Sequence, residues 1–296
     1  MAVTSGVQRA PVLFMSHGGP PTLFDSSHPA HKSWVKTGSD LSKLQPRPRA
    51  ILAISAHWES EARSSGDKPT IQVNSDAANS LIYDFYNFPA HYYEQKFPSS
   101  NPSWLSDLVL KHLNTTSFAG EGVSRGPDHG VWVPMLAAFP KGLTGSNDIP
   151  LVQVSLPRPT GNSLKDAQQA LQLGEALRPL REQGILIFAG GQAVHNLGGF
   201  RLVRSGQPYE KPTYAAGFLQ ALSDAIVPAS GTDNAAKERA VQLTQRREYK
   251  LCHPTDEHFL PHLVALGATY DGEKGTESLR LDEGFLGWTM YRWSWP

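Results

Sequence analysis

Eleven histidines occur in the chain, and five of them stand where an imidazole could do chemistry. They follow apolar runs or lie in turns shaped by glycine and proline, at His17, His57, His129, His195 and His258. Neutral imidazole is the commonest side-chain ligand for metals, and it also transfers protons near neutral pH. Two interpretations stay open at this point. These residues could supply a non-haem iron or zinc site with three protein ligands, or they could have purely structural roles.

No compact metal-binding pattern such as HExxH is present, so a site requires the fold to bring distant histidines together. The first three predicted elements would bring two of these histidines together. Ala10–Met15 and Ile51–Trp58 are apolar strands, and His28–Lys43 is a helix between them. In such a βαβ unit both strands are parallel and their carboxyl ends meet at one edge of the sheet. We therefore expect His17 and His57 to be neighbours, at the edge where α/β proteins bind ligands.

A second βαβ unit is predicted from the strand Ile149–Leu156, the helix Ser163–Gln183 and the strand Ile185–Ala189. A glycine turn follows it and leads to His195. No repeat, low-complexity tract or linker divides the chain. We expect an α/β protein in which residues 1–296 form a single domain. A central mixed, largely parallel sheet is flanked by helices, with the site at the carboxyl ends of the strands.

The other elements follow from apolar periodicity and turn residues. They are a strand at Thr70–Val73, helices at Leu105–Leu113, Val133–Phe139, Tyr214–Val227, Ala235–Leu243 and Leu263–Leu266, a polar turn at Gly126–Trp132, and a terminal strand within Gly284–Trp295. We expect Tyr214–Val227 and Ala235–Leu243 to lie on the surface. The segment Ser80–Phe97 is dense in aromatic residues and is predicted to be a loop with a short helix. Its rings either line an apolar site or cover the core.

Composition restricts the class of partner. The chain has 27 basic and 27 acidic residues and a net charge of zero, which argues against nucleic acid and anionic membranes as partners. Its single cysteine, Cys252, excludes an intramolecular disulfide and fits a reducing compartment; we expect it to be buried and not nucleophilic. The first ten residues lack the apolar core of a signal peptide, and no run is long enough to span a membrane. We expect a cytoplasmic monomer or small homo-oligomer that acts on a small molecule.

Five motifs around the histidines occur in a fixed order. They are SHGGP at 16–20, SAHW at 55–58, PDHGVW at 127–132, VHNL at 194–197 and HPTDEHFLP at 253–261. In this order and spacing the chain resembles the DODA-type extradiol aromatic ring-opening dioxygenases, which are related to the catalytic subunit of protocatechuate 4,5-dioxygenase and include 4,5-DOPA dioxygenases. The resemblance covers nearly the whole chain. The chain departs from the usual family pattern at Gly19, where serine is common. It also departs at GPDH, residues 126–129, where an aromatic residue often precedes the aspartate.

The resemblance implies an enzyme that inserts O2 into a catechol-type aromatic substrate with opening of the ring. It also implies one divalent metal ion per chain, Fe(II) for activity or Zn(II) as bound, held by His17, His57 and His258. Glu257 is the competitor for the third position, because related ring-opening enzymes use a carboxylate there and iron sites often combine two histidines with one carboxylate.

The same resemblance implies roles for His195 and His129, and the neighbouring residues suggest further roles. His195 would be the general acid and base beside the metal, with a pKa near neutrality. His129 would contact substrate and take part in catalysis, and Asp128 would orient its ring or contact substrate. Apart from the resemblance, Trp132 and the aromatics of Tyr83–Phe97 either form an apolar wall for a flat ring or belong to the core.

Two other functions are compatible with these residues. A zinc hydrolase or amidase also needs three histidines and an acid/base, since a metal-bound water is activated in the same way. A binding protein could keep the scaffold without turnover, although the intact histidines argue against it. Oxygen uptake distinguishes the dioxygenase from both.

Overall fold

The computed structural model describes residues 8–62, 64–145, 148–206, 208 and 210–295. Residues 1–7, which make up most of the segment expected to lack a signal-peptide core, lie outside this part. The strands are β1 (Val12–Ser16), β2 (Ala50–Glu59), β3 (Thr70–Asn74), β4 (Ala119–Val123), β5 (Leu151–Leu156), β6 (Ile185–Gly191), β7 (Val194–His195), β8 (Gly275–Asp282) and β9 (Leu286–Trp293). The α-helices are α1 (Pro20–Phe24), α2 (Pro29–Leu41), α3 (Ser103–Leu113), α4 (His129–Ala138), α5 (Ser163–Leu177), α6 (Leu197–Arg204), α7 (Tyr214–Ile226), α8 (Asn234–Gln242), α9 (Tyr249–Cys252) and α10 (Leu260–Gly267).

These strands form one nine-stranded sheet in the order β4-β3-β5-β2-β6-β1-β9-β7, with β8 paired to β9. The four central strands β5, β2, β6 and β1 are parallel, whereas β9 joins β1 and β3 joins β5 in antiparallel orientation. The predicted α/β class with a mixed sheet and a parallel centre is confirmed.

The two predicted βαβ units interleave. Strand β6 of the second unit lies between β1 and β2 of the first, and β2 lies between β5 and β6. The carboxyl ends of all four central strands therefore meet at one edge of the sheet. His17 follows β1 directly. His57 lies near the end of β2, beyond the point where its regular pairing with β5 is interrupted between Ile54 and Glu59. Such irregularities re-aim side chains and occur often beside active sites.

Both faces of the sheet are covered by helices because its central strands are apolar on both sides. In β1, Val12 and Phe14 point to the face covered by α5, α7 and α10, and Leu13 and Met15 point to the face covered by α2 and α4. This pattern follows from the two-residue period of a strand. The result is a helix–sheet–helix sandwich with two apolar cores.

The structure corrects several predicted elements. The helix expected at Val133–Phe139 already begins at His129, so His129 is a helical residue and not part of a turn. Helix α7 is not a surface element, because it buries Phe218, Leu219 and Leu222 in the core. Strands β4 and β8 were not predicted. Glycine interrupts the apolar pattern of β4, and the alternating residues of β8 are only partly buried.

The long helix expected at Ser163–Gln183 ends at Leu177 and continues as a 3-10 helix over Arg178–Gln183. Pro179 lies at the start of the 3-10 segment and cannot donate the backbone hydrogen bond that would continue the α-helix. Across the described residues, no helix is long and apolar enough to cross a membrane.

Candidate metal centre

The five histidines selected from the sequence lie together at the carboxyl edge of the sheet. His17 is 4.8 Å from His57, 5.3 Å from His129 and 5.3 Å from His258, measured between ring centroids. The centroids of His57 and His258 are 4.9 Å apart, and those of His57 and His129 are 4.0 Å apart. His195 stacks on His258 with a centroid distance of 3.4 Å and an interplanar angle of 15°. The parallel sheet thus gathers residues that are far apart in sequence.

The rings of His17, His57 and His258, the ligands that the resemblance implies, each have an oxygen near Nδ1, as does the ring of His129. His17 Nδ1 is hydrogen-bonded to the Gly18 carbonyl oxygen at 2.6 Å and His258 Nδ1 to Glu257 Oε1 at 2.9 Å, whereas His57 Nδ1 lies 3.3 Å from Asp84 Oδ2. A carbonyl or carboxylate oxygen can only accept, so the hydrogen bonds of His17 and His258 place the proton on Nδ1 and leave Nε2 with its lone pair. The negative charge of Asp84 beside His57 Nδ1 favours the same tautomer of His57. Metal-binding histidines are held by the same kind of contact at their second nitrogen.

The Nε2 atoms of these rings face one another. His57 Nε2 lies 3.2 Å from His258 Nε2, and His17 Nε2 is buried without a hydrogen-bond partner among the described residues. Two lone pairs at such a distance repel unless a cation or proton lies between them. Two nitrogens bound to one tetrahedral metal at about 2.1 Å are about 3.4 Å apart. The donor set therefore fits a divalent metal ion.

Burial keeps the imidazoles in the form that binds metals. The pKa values of His17, His57 and His258 lie well below the usual value, first because burial disfavours the charged ring and then because of neighbouring histidines. Neutral rings are the ligand form.

Three further residues, His129, His195 and Glu257, are near enough to be considered as ligands. The candidate ligand atoms of His17, His57 and His129 lie within 4.8 Å of one another, and so do those of His195, Glu257 and His258. The Glu257 carboxylate, the competitor named from the sequence, contacts His258 Nδ1 and Thr255 Oγ1. In this position it orients His258 from the side of the ring opposite to the Nε2 contact.

The environment of His195 differs from the expected one. Burial, together with the nearby His129, lowers the pKa of His195 to about 4, whereas the sequence led us to expect a value near neutrality. The ring is therefore neutral at physiological pH. A neutral imidazole at this place has a ring nitrogen able to accept a proton.

Asp84 is the site residue that the sequence analysis missed. Its Oδ2 lies 3.3 Å from His57 Nδ1, and its Oδ1 lies 2.8 Å from His129 Nδ1 and accepts a hydrogen bond from the His129 backbone N–H at 3.0 Å. Burial alone would raise the pKa of Asp84, but the contacts with His129 outweigh it and lower the pKa. The sequence signal was an acidic residue flanked by two aromatic residues, Tyr83 and Phe85, near the start of the aromatic segment.

Asp128 does not have the predicted contact with the His129 ring, which is made by Asp84. Asp128 is fully buried and caps α4 by accepting from the Gly130 N–H at 3.1 Å. Its carboxylate also accepts from Ser55 Oγ, Gln153 Nε2 and Arg125 NH1, at 2.6, 2.6 and 3.2 Å. These contacts join β2, β5 and the start of α4, so Asp128 supports the histidines from behind and has no surface for the predicted contact with substrate.

Trp132 is likewise fully buried, and its Nε1 donates to the carbonyl oxygen of Ile82 at 3.0 Å. Its ring packs beneath Tyr83 and Phe85 at centroid distances of 5.7 and 6.1 Å. The burial of Trp132 fits the second interpretation of these rings, in which they cover the core. Phe85 packs against His129 at 5.9 Å.

An open cavity of about 800 Å³ adjoins the cluster beside His57. Trp58, Glu59, Arg125 and Arg158 contribute to its lining. Burial and the nearby carboxylates, first that of Glu257, raise the pKa of Glu59 to about 7. The Arg125 guanidinium lies over the Trp58 ring at 4.5 Å and donates to the His57 carbonyl oxygen at 3.1 Å. The cavity is therefore polar and gives a small molecule access to His57.

Comparison with known proteins adds to this geometry. The family profile described as "Catalytic LigB subunit of aromatic ring-opening dioxygenase" matches residues 10–286. The 4,5-DOPA dioxygenase extradiol of Beta vulgaris is 33% identical over 267 residues, which are 88% of each chain. The protein of the same name from Portulaca grandiflora is 32% identical over 304 residues and 99% of each chain. A crystal structure of an uncharacterized Escherichia coli K12 protein superposes with a TM-score of 0.71 and 25% identity, over 96% of this chain and 99% of that one.

Proposed function

This chain belongs to the family of the catalytic LigB subunit of aromatic ring-opening dioxygenases, and on that premise we propose that it opens a catechol-type ring at the histidine cluster with one bound divalent metal ion. The family and the relatives of similar length make it an extradiol ring-cleaving dioxygenase. The observation that carries the proposal is the group of Nε2 atoms at the cluster: those of His57 and His258 lie 3.2 Å apart, and that of His17 is buried without a hydrogen-bond partner among the described residues.

His17, His57 and His258 are the proposed ligands. Bound Fe(II) supplies the redox chemistry that a reaction of dioxygen with an aromatic diol requires, whereas Zn(II) has no redox chemistry. The protein holds the three neutral imidazoles in place before the metal arrives, because each ring is tied by its Nδ1 to a different part of the chain.

His195 and His129 are the proposed proton-transfer and substrate-contacting residues. His195 lies against His258, and its neutral ring can take a proton from a catechol hydroxyl and return it later in ring opening. His129 lies beside His57 and can hydrogen-bond a phenolate oxygen of the substrate. Phe85 limits the site on the side of His129 and excludes water there.

The proposed substrate is a small aromatic diol of the catechol class, with O2 as cosubstrate. Relatives from Beta vulgaris, Portulaca grandiflora and Escherichia coli carry the name 4,5-DOPA dioxygenase extradiol, so DOPA is the first catechol to test. The departures at Gly19 and before Asp128 affect neighbours of the histidines and leave the imidazoles intact. We propose that they alter the choice of substrate and not the chemistry.

We place the enzyme in a reducing, cytoplasmic compartment. The support is its single cysteine, Cys252, which is buried. Burial raises the pKa of its thiol to about 12, as expected for a cysteine that is not a nucleophile.

An oxygen electrode tests the function. The protein is loaded anaerobically with Fe(II), its iron content is measured, and air is admitted with DOPA or another substituted catechol. The expected result is catechol-dependent oxygen uptake with a yellow ring-opened product, and none after loading with Zn(II). No uptake over a broad catechol panel at full iron occupancy would contradict the proposal. Hydrolysis without oxygen would instead favour the hydrolase alternative.

A further inference from the structure

We propose that Asp84 is the positioning residue that holds the proposed ligand His57 and the proposed substrate contact His129 in one fixed arrangement. This inference rests on the proposed function. It assigns a role to a residue in none of the motifs around the five histidines. Asp84 lies instead in the aromatic segment, between Tyr83 and Phe85.

The contacts show how one carboxylate serves two rings. Asp84 Oδ2 is 3.3 Å from His57 Nδ1, and Asp84 Oδ1 is 2.8 Å from His129 Nδ1. Oδ1 also accepts the His129 backbone N–H at 3.0 Å, so the start of α4 is tied to the same group. The two ring centroids are only 4.0 Å apart. The Asp84 carboxylate therefore lies against Nδ1 of both rings through charge contacts and is anchored by a hydrogen bond to the His129 backbone, a position from which it can orient both rings.

The consequence for a metal differs between the three proposed ligands. His17 and His258 have other acceptors at Nδ1, namely the Gly18 carbonyl oxygen and Glu257. The ring of His57 contacts only Asp84 through Nδ1 in the described contacts. A carboxylate there selects the tautomer with a free Nε2 and makes this nitrogen a better ligand. Loss of Asp84 should therefore weaken one ligand and leave the other two in place.

Asp84 itself is held by its neighbours. The Ile82 N–H donates to the Pro127 carbonyl oxygen at 2.9 Å, and the Ile82 carbonyl oxygen accepts from Trp132 Nε1 at 3.0 Å. On the other side, the Phe85 carbonyl oxygen accepts from Tyr93 Oη at 3.2 Å. The backbone on both sides of Asp84 is thus fixed, as a residue that orients others requires. These contacts also account for the burial of Trp132, which anchors the segment that carries Asp84.

The test is metal affinity, measured without turnover. The apo protein is titrated with Co(II) and with Zn(II) against a competing chelator, for the parent protein and for Asp84→Asn, Asp84→Ala and Glu94→Gln. Glu94 is an exposed carboxylate of the same aromatic segment and serves as the matched control. We expect about a 10- to 100-fold weaker affinity for both Asp84 variants, with an altered Co(II) absorption spectrum, and no change for Glu94→Gln.

Asp84→Asn keeps the size of the side chain, so it remains informative if Asp84→Ala does not fold. With iron loaded to full occupancy, Asp84→Asn should lower kcat and change KM for the catechol, because His129 is no longer oriented.

Three outcomes can be distinguished. If the parent protein does not bind Co(II) or Zn(II), the metal site of the proposed function is wrong. If it binds but a folded Asp84→Asn or Asp84→Ala protein binds as tightly and turns over at the parent rate, only the role of Asp84 is wrong. If the Asp84 variants lose metal affinity only to the extent that they lose thermal stability, and their Co(II) spectrum is unchanged, Asp84 supports the fold and does not position the histidines.

Discussion

The Nε2 atoms of His57 and His258 lie 3.2 Å apart, although 201 residues separate these histidines in the chain. Glu257 accepts a hydrogen bond from Nδ1 of His258, and Asp84 lies 3.3 Å from Nδ1 of His57, so both carboxylates favour the tautomer with a lone pair on Nε2. Neither His57 nor His258 could form this pair of donor nitrogens without the other. Strand β2 places one ring and the turn before α10 places the other, so the metal site depends on the packing of these two parts of the chain.

The third ligand can be assigned by substitution. His258→Ala removes an Nε2 donor and should leave the purified protein with well under one metal ion per chain. Glu257→Gln keeps a hydrogen-bond acceptor beside His258 Nδ1 and should cost at most about 10- to 100-fold in affinity. Metal analysis after dialysis measures both. If His258→Ala retains its metal and Glu257→Ala loses it, Glu257 is the ligand.

Substitution of His195 should lower the rate of turnover and leave the metal content unchanged. Its ring stacks on His258 but is not one of the three rings with paired Nδ1 and free Nε2 atoms. For His195→Gln we expect kcat to fall by about 10²- to 10⁴-fold, the usual contribution of a general acid or base. Metal content should equal that of the parent protein. A variant that loses its metal would show that His195 is a ligand.

Gly130 should be intolerant of a side chain because of its position between β2 and α4. A Cβ at Gly130 would lie 2.3 Å from Ser55 Oγ and 3.1 Å from His57 Cδ2. We expect Gly130→Ala to displace Ser55 from Asp128, to shift His57 and to lower both metal affinity and kcat.

Gly217→Ala in α7 is the matched control, since a Cβ there meets no atom within 4 Å. It should leave activity unchanged and stabilise the protein by up to about 1 kcal/mol, as alanine does in a helix. Equal activity of Gly130→Ala and the parent protein would refute the tight packing of Gly130 against Ser55 and His57.

The buried ion pair of Arg181 and Glu273 should make stability depend on pH. Both Arg181 NH groups contact the carboxylate at 2.8 Å, and Arg181 is fully buried. Burial alone would raise the pKa of Glu273, but Arg181 and then Ser294 outweigh it and lower the pKa. Glu273→Gln leaves Arg181 without its countercharge and should reduce the free energy of unfolding by about 3 kcal/mol at pH 7.

The sign of the pH dependence follows from the lowered pKa. The stabilisation is complete above the unfolded-state pKa of about 4.3 and is lost as pH falls through the lower folded-state pKa. The difference in the free energy of unfolding between the parent protein and Glu273→Gln should therefore be constant from about pH 6 to 8 and should shrink below about pH 4. Urea unfolding at several pH values measures it. A difference that grows on acidification would contradict this account.

Much of the fold could be predicted because its central strands are apolar on both faces and end in recognisable turns. The runs at β1, β2, β5 and β6 are of this kind, and the parallel centre follows from the helices between them. Strands β4 and β8 escaped prediction because glycine or partial exposure weakens their pattern. The start of α4 at His129 was missed since the capping residue, Asp128, lies in a segment that has the composition of a turn.

The sequence by itself determined which side chains can bind a metal and, through the first βαβ unit, that His17 and His57 meet at one edge. The interleaving of the second unit, which brings His195 to the same edge, was seen only in the structure. Only the tertiary structure decided which acid orients which ring. Asp128 is next to His129 in the chain but points into β2 and β5, whereas Asp84, 45 residues away, reaches His129 from an irregular segment. The physical reason is that apolar periodicity specifies regular elements. The direction of a polar side chain in a loop instead depends on the hydrogen-bond partners that folding brings within reach.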